Sequence, residues 1–575
     1  MMKLLRHIST FTILAMLILF LAINSCKDDF LNIPPNGAVG SDQLVSREGL
    51  EGSLIATYSS LLGRRGFFSD PSNWIWGSIL GGDANKGSVA DDVDVLNSIQ
   101  SYLVLPNNSA VLEKYQVVYE GVSRANATLQ LANKAEVAMV DQSNLDRIRA
   151  EARFLRGHYY FELKKIFNNT PYVDENWDGF SPAPNDRDLW PYIEADFQFA
   201  YEYLPETSEQ IGRANKWAAA SYLAKTYVFQ KKYAEAKVLF DLILSQGKTT
   251  AGDKYALLDY YPDAFRSLYD NNSESVFAVQ AAVGTGDWIN ANFGLVLNFP
   301  AMSPGSPPAP GRCCGFFQPS FDLANSFRTS SAGLPFLDQS YNDSENALKS
   351  DMGVIGADSF VPDQGFLDPR IDHSIGRRGI PYLDWGLHPG QPWIRSQAYG
   401  GPYSPKKFVY FSSGAGIEYE SGAWAGFTAV NYNIIRFADV LLLAAETEIE
   451  LNNLEKGREY INRVRLRAKN SSLPEANANY FIELYPLFAS QEEAVNALRF
   501  ERKLELSGEG HRFFDLVRWG IAPEVLNDYL SHESQYISQP FAGAKFTSGK
   551  NEYLPIPQTE IDLQGSDVLR QNSGY

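Results

Sequence analysis

Cysteine is nearly missing. Only Cys26, Cys313 and Cys314 occur in 575 residues, so no web of disulfides braces the chain and its stability rests on packing. The sequence leaves open whether the adjacent Cys313 and Cys314 form a vicinal bridge or remain two thiols in a Gly- and Pro-rich loop. Histidine is scarce as well. The five beyond the N-terminal leader, His158, His373, His388, His511 and His532, share no spacing of the H-E-x-x-H kind, which argues against a transition-metal site. No cofactor is expected, and a structural calcium held by Asp91, Asp92 and Asp94 is left open because that loop lacks the EF-hand order of ligands and glycine. Positive charge is in deficit too, with 50 Lys and Arg against 68 Asp and Glu. Losing the first 25 residues removes Lys3 and Arg6 but no acid, taking the net charge from −18 to −20. With no basic patch, the chain has no means of holding a phosphate backbone, so no nucleic-acid partner is expected.

A long hydrophobic run is also absent. The most apolar stretch, Phe11 to Ile23, is interrupted only by Thr12. Its helix would rise about 20 Å, short of the roughly 30 Å hydrocarbon core of a bilayer. Preceded by Lys3 and Arg6, it has the form of a secretory leader. It ends at Ser25–Cys26, similar to the lipobox of bacterial lipoproteins, in which the cysteine is acylated and the chain is cut before it. Residues 1–25 are therefore expected to be a lipoprotein signal peptide, with Cys26 as the lipidated residue and a membrane attachment through its acyl chains. Charge follows at once in Lys27, Asp28 and Asp29.

Aromatic residues, by contrast, make up 13% of the chain. Many fall on helical stripes. In "NKWAAASYLAKTYVFQKKYAEAKVLFDLILSQG", Trp217, Ala220, Ala224 and Tyr227 share one face, and Tyr233, Ala236, Leu239 and Phe240 share the next, which predicts a helical hairpin of tetratricopeptide length. Similar pairs recur in "LDRIRAEARFLRGHYYFELKKIF" with "DLWPYIEADFQFAYEYLPE", and in "NIIRFADVLLLAAETEIEL" with "EKGREYINRVRLRAKN". Further helices are expected at Leu112–Leu131 and from Glu492 to Trp519. The predicted fold is mainly α: helical repeats over about 111–247 and 431–519, with a loop-rich insertion over about 248–430 containing short strands such as "SVFAVQAAV". Too aromatic for disorder, the insertion reads as functional loops positioned by a rigid scaffold, within a single domain spanning 26–575.

The Cys-Lys-Asp-Asp-Phe-Leu start, "RAEARFLRGHYYFEL", "IIRFADVLLLAAE", "INRVRLRA", "ERKLELSGEGHRFFDLVRWG" and "YLPIPQTEIDLQGSDVLRQNSGY" together resemble the SusD/RagB family, the outer-membrane nutrient-binding lipoproteins of Bacteroidetes. The resemblance covers essentially the whole mature chain. It implies that Lys27, Asp28 and Asp29 are an export signal to the outer face of the outer membrane. It also implies a SusC-like TonB-dependent transporter as partner and an oligosaccharide as ligand, captured without covalent chemistry. A peptide cargo is the alternative within the family, and a surface glycoside hydrolase is the more distant one.

The run "RFERKLELSGEGHRFFDLVRWG" carries Arg499, Glu501, Arg502, Glu505, Glu509, His511, Arg512, Asp515 and Arg518. We read it as ion pairing at i,i+3 and i,i+4 along a helix, not as an acid/base site. "DPRIDHSIGRRG", with Arg370, Asp372, Arg377 and Arg378, is read in the same way. G-x-S-x-G is absent, so no catalytic residue is assigned. Sugar binding calls for flat aromatic faces beside amides and carboxylates. Loops offering that combination supply Trp74, Trp76, Asp83 and Asn85; Trp288 and Asn290; Phe316, Phe317 and Gln318; and Trp385, Trp393 and Tyr399. Trp74 and Trp76 alternate as on a strand, which would turn one of them to the core. Trp288, in a Gly-Asp loop, is the leading single candidate.

Overall fold

A computed structural model describes residues 44–135, 140–286, 290–292, 294–303, 305–421 and 426–575. Cys26, Lys27, Asp28, Asp29 and Trp288, and the leader 1–25, lie outside the described residues. The fold is mainly α, as the periodicity predicts. Six helices open it: α1 (Arg47–Ser59), α2 (Ser109–Lys134), α3 (Gln142–Phe167), α4 (Trp190–Tyr203), α5 (Lys216–Phe229) and α6 (Tyr233–Gln246). Side-chain caps set the starts of α2, α3 and α5. Asn108 accepts from the amides of Ala110 and Val111, Asp141 from Asn144 and Asn215 from Ala218, meeting the orphan donors of a first turn. Each helix from α2 to α6 packs on the next. Small residues permit the close approach: a Cβ at Gly157 would sit 3.0 Å from the ring of Phe197, and Ala218, Ala219, Ala220 and Ala224 are buried in α5.

After the insertion come α7 (Phe437–Glu450), α8 (Leu454–Lys469), α9 (Gln491–Glu505), α10 (Arg512–Trp519) and α11 (Ala522–Glu533). Helix α7 packs on α6, so the two helical runs form one continuous scaffold. The insertion is a closed excursion from it: its first strand, Ser275–Val279, pairs antiparallel with its last, Tyr432–Arg436. A second antiparallel pair, Ala84–Gly87 with Phe316–Pro319, ties the N-terminal region to the insertion.

Several expectations are corrected. The stretch Tyr432–Arg436, read as the opening of a helix, is a strand, its β-branched Ile434 and Ile435 suiting a sheet. The helix expected over 492–519 is two, broken at Gly508 and Gly510, both with positive φ. Trp74 and Trp76 lie on one π-helical turn, Trp74–Ile79, and both are buried, because the turn is enclosed on more than one side, Trp74 by Phe316 and Phe317 and Trp76 beside the Phe68 carbonyl. The state of Cys313 and Cys314, which the sequence left open, is that of a vicinal disulfide.

The charged run is structural, but its pairs bridge separate elements more than they run along one helix. Arg436 meets Glu274, Glu505 and Glu509, each at 2.7 Å. Arg370 meets Asp368 and Glu501 at 2.7 Å and Glu505 at 3.0 Å. Arg465 reaches Glu501 at 2.9 Å, Arg467 pairs with Glu274 and Glu505, and Lys407 reaches Glu509 at 2.7 Å. These side chains are buried and come from α8, α9, the last strand and the insertion, so the network rivets the insertion to the scaffold. Burial opposes the ionisation of Glu505, yet the charges of Arg467, Arg436 and Arg370 outweigh it and hold the carboxyl far below its usual range.

Candidate functional site

Most of the aromatic residues expected at the surface are inside. Trp74 donates from Nε1 to the Phe67 carbonyl at 3.2 Å, and its ring meets Phe317 edge to face at 5.9 Å and Phe316 at 6.5 Å. Trp76 donates to the Phe68 carbonyl at 2.6 Å. Gln318 donates to the carbonyls of Gly401 and Tyr403, and Asn85 accepts from the Tyr529 hydroxyl at 3.0 Å. Asp83 accepts from the Gly508 amide, and burial pushes its carboxyl up to about 6. Tyr399 bonds Asn97 and Gln100, and Trp393 donates to the Pro307 carbonyl at 3.0 Å. Phe316 and Phe317 are buried with them. Seven of these residues, Trp393 and Trp76 apart, make one interior joint between the N-terminal region and the insertion. Their indole, amide and hydroxyl donors are bonded internally and all seven residues are buried, which removes them from the surface a ligand meets. Of the acidic loop, Asp92 is occupied by Arg395 at 2.5 Å and Ser88 at 2.8 Å. Among the described residues no group of three or more His, Cys, Asp or Glu is arranged to hold a metal.

Trp385 and Asn290 remain outward. They border a feature the sequence reading missed. A satellite core of Val296, Phe299, Tyr382, Trp393, Val409 and Tyr410 lies under the insertion, separate from the main core, with Trp385, Tyr419 and Phe427 half-buried over it. Tyr410 stacks on Tyr419 with centroids 4.0 Å apart, and Trp385 meets the edge of Tyr410 at 6.1 Å while donating from Nε1 to its carbonyl at 3.0 Å. Tyr419 belongs to a hairpin, Tyr419–Ser421 paired with Gly426–Thr428. Glycine is required at 426, because a Cβ there would lie 2.2 Å from the Tyr410 hydroxyl. Gly284 and Asn292 are fastened to the same hairpin: the Gly284 amide donates to Glu420 at 3.0 Å and the Asn292 amide to the Thr428 carbonyl at 2.8 Å. Exposed Asn290 donates to the Thr285 hydroxyl at 3.1 Å.

The result is a face of aromatic rings fixed from below, rimmed by an amide and a carboxylate and flanked by exposed Leu387 and Ile417. Such a face suits a ligand with apolar ring faces and hydroxyl edges. It is poor in acid/base means. Asp384 accepts from the amides of Ser412 and Ser413 with its two oxygens; burial opposes its charge, but those bonds outweigh it and keep the carboxyl low. The one sequence signal for Tyr419 and Phe427 was the turn chemistry of the intervening Ser-Gly-Ala-Trp-Ala-Gly.

Comparison with known proteins gives a consistent answer. Residues 273–575 match the family model described as "SusD family", and residues 83–228 match one described as "Starch-binding associating with outer membrane". SusD-like protein P2 of Formosa agariphila is 24% identical over 526 residues, covering 85% of this chain and 86% of its own length. The starch-binding protein SusD of Bacteroides thetaiotaomicron is 23% identical over 454 residues, covering 76% and 74%. Among solved structures, surface glycan-binding protein A of Bacteroides thetaiotaomicron, in complex with laminarihexaose, superposes with a TM-score of 0.63 at 19% identity, covering 91% of this chain and 99% of that one.

Proposed function

This chain belongs to the SusD/RagB family, and from that premise we propose that it binds oligosaccharides at the cell surface on the aromatic face of Trp385 and Tyr419. The observation that carries the reading is the satellite core. Tyr410, itself packed on Phe299, holds Tyr419 and Trp385 in place from beneath, so a sugar ring meets a platform that is already ordered and binding costs little side-chain entropy. Relatives named for starch and laminarihexaose support a glycan as the ligand class.

Binding is reversible and leaves the glycan intact, since the acids near the platform are engaged by backbone amides. Cys26 carries the lipid anchor, with Lys27, Asp28 and Asp29 as its address to the outer surface, and a SusC-like TonB-dependent transporter receives the cargo. No helix among the described residues is long and apolar enough to cross a membrane, in keeping with attachment by lipid.

The test is a titration of protein starting at Lys27 against polysaccharides, oligosaccharides and peptides, with the recovered ligand analysed by chromatography. Saturable binding of a glycan returned at full length supports the proposal. Shortened product makes the protein an enzyme, and binding of peptides alone replaces the cargo.

A further inference from the structure

The segment Lys406–Phe411 has two sides. Tyr410 turns into the satellite core, while Lys406, Phe408 and Phe411 line a cleft of about 240 Å³, walled by Pro262, Pro381, Leu383 and Leu473, that shares Val409 and Leu383 with that core. That is smaller than the roughly 300–1,000 Å³ of a drug-sized site, and of a size for one ring or little more.

Its polar groups are unusually free. The Asp263 carboxylate, the Glu475 carboxylate and the Tyr260 hydroxyl line the cleft, and none has a side-chain hydrogen-bond partner among the described residues. They lie close enough together that both acids, after burial, push the Tyr260 hydroxyl upward. His373 is 6% exposed and donates from Nε2 to the Ser471 carbonyl at 2.6 Å, while burial lowers its pKa to about 4, so its Nδ1 is a bare acceptor. At the floor, the buried Lys406 ammonium donates to the carbonyls of Asp372 and Pro381, which leaves one of its three protons without an oxygen. Arg266 lines the cleft as well, 3.3 Å from Glu418 with its guanidinium 4.0 Å over the Phe411 ring, and its charge acts on Asp263.

We propose that this cleft is a second carbohydrate site, taking a single neutral pyranose unit, a chain end or a branch, independently of the Trp385–Tyr419 face. The inference rests on the glycan-binding reading above. Three features select the ligand. Aliphatic and aromatic walls suit the C–H faces of a sugar ring. Free acceptors at Asp263, Glu475 and His373 and a free donor at Lys406 require a ligand that both donates and accepts, as hydroxyls do. Charges of both signs line the cleft, with Asp263 in the field of Arg266 and Glu475 in that of Lys406, so neither an anionic nor an amino sugar meets a surface of one opposite sign, and the neutral ring is favoured over either.

The experiment uses saturation-transfer NMR on protein spanning residues 27–575. The probes are methyl glycosides of glucose, galactose, mannose and xylose, with glucosamine and glucuronate alongside. At least one methyl glycoside is expected to bind the wild type and the Trp385→Ala/Tyr419→Ala double variant alike, and to lose at least five-fold in signal when Leu473→Trp fills the cleft. Asp263→Asn, which preserves shape, is expected to weaken the same signal. Binding unaffected by Leu473→Trp, or no methyl glycoside bound, overturns the cleft assignment, and preference for glucosamine or glucuronate overturns the neutral ligand. Failure of the parent reading looks different: the wild type then binds no oligosaccharide at all. Oligosaccharide binding that survives Leu473→Trp but not the double variant removes the cleft alone.

Discussion

Tyr410 and Tyr419 stack with ring centroids 4.0 Å apart and planes 18° from parallel, one buried and the other half-exposed, so that a ring in the satellite core supports a ring at the surface. The pair is the smallest unit of the proposed binding face, and it separates residues that a ligand touches from residues that only hold them.

That separation is measurable by calorimetry with the preferred oligosaccharide. Tyr419→Ala and Trp385→Ala each remove an aromatic contact of about 0.5–1.5 kcal/mol, so affinity is expected to fall about 2- to 10-fold. Trp74→Phe, inside the joint with Phe316 and Phe317, is expected to leave affinity unchanged. The opposite pattern would return the ligand to the N-terminal loop.

Removing the cation at the centre of the buried network is costly. Arg436→Met strands Glu274, Glu505 and Glu509 without their shared partner, and breaking a buried pair costs about 3–5 kcal/mol. The urea midpoint is expected to drop accordingly. Arg436→Lys is expected to recover little, because an ammonium cannot fork toward three carboxylates. Wild-type stability in either variant would show that the network does not rivet the insertion.

Gly510 has φ +72°, and a Cβ there would lie 2.1 Å from the Ser72 carbonyl oxygen. Gly510→Ala therefore incurs both backbone strain and a clash with rigid backbone. A loss on the order of 1–3 kcal/mol is expected from the strain alone, read as a lower unfolding midpoint. A neutral substitution would mean that the break between α9 and α10 is not forced at this residue.

Burial pushes the Glu533 carboxyl up to about 8. In the unfolded chain it ionises near ~4.3, so its contribution is full below that pH and is lost as pH rises toward 8. Glu533→Gln keeps an acceptor for the Asp322 amide, 2.7 Å away, without the titration. Unfolding midpoints measured across pH 4–8 are expected to fall less steeply for the variant. Parallel profiles would place the Glu533 pKa at its ordinary value.

The main-chain architecture was legible in the sequence because helix periodicity is local. The stripes at Trp217–Tyr227 and Tyr233–Phe240 lie in two helices as predicted, and the change of texture after Lys248 marks the insertion. The break in the last helical run was written in Gly508 and Gly510 but overlooked, since the apolar stripe continues on both sides. Residues 432–436 were misread for a different reason: their strand exists because Ser275–Val279 lies beside them, some 160 residues away along the chain.

By itself, the sequence determined the helical scaffold, the acidic balance, the scarcity of cysteine and histidine, and the family. Those depend on residue type, spacing and motif order, which need no third dimension. Only the tertiary structure decided which aromatics face a ligand. Trp74 and Trp385 look alike in sequence, each beside polar loop residues, yet one is sealed against Phe316 and Phe317 while the other lies over Tyr410 at the surface. Burial is set by what packs against a ring, and those partners come from distant parts of the chain.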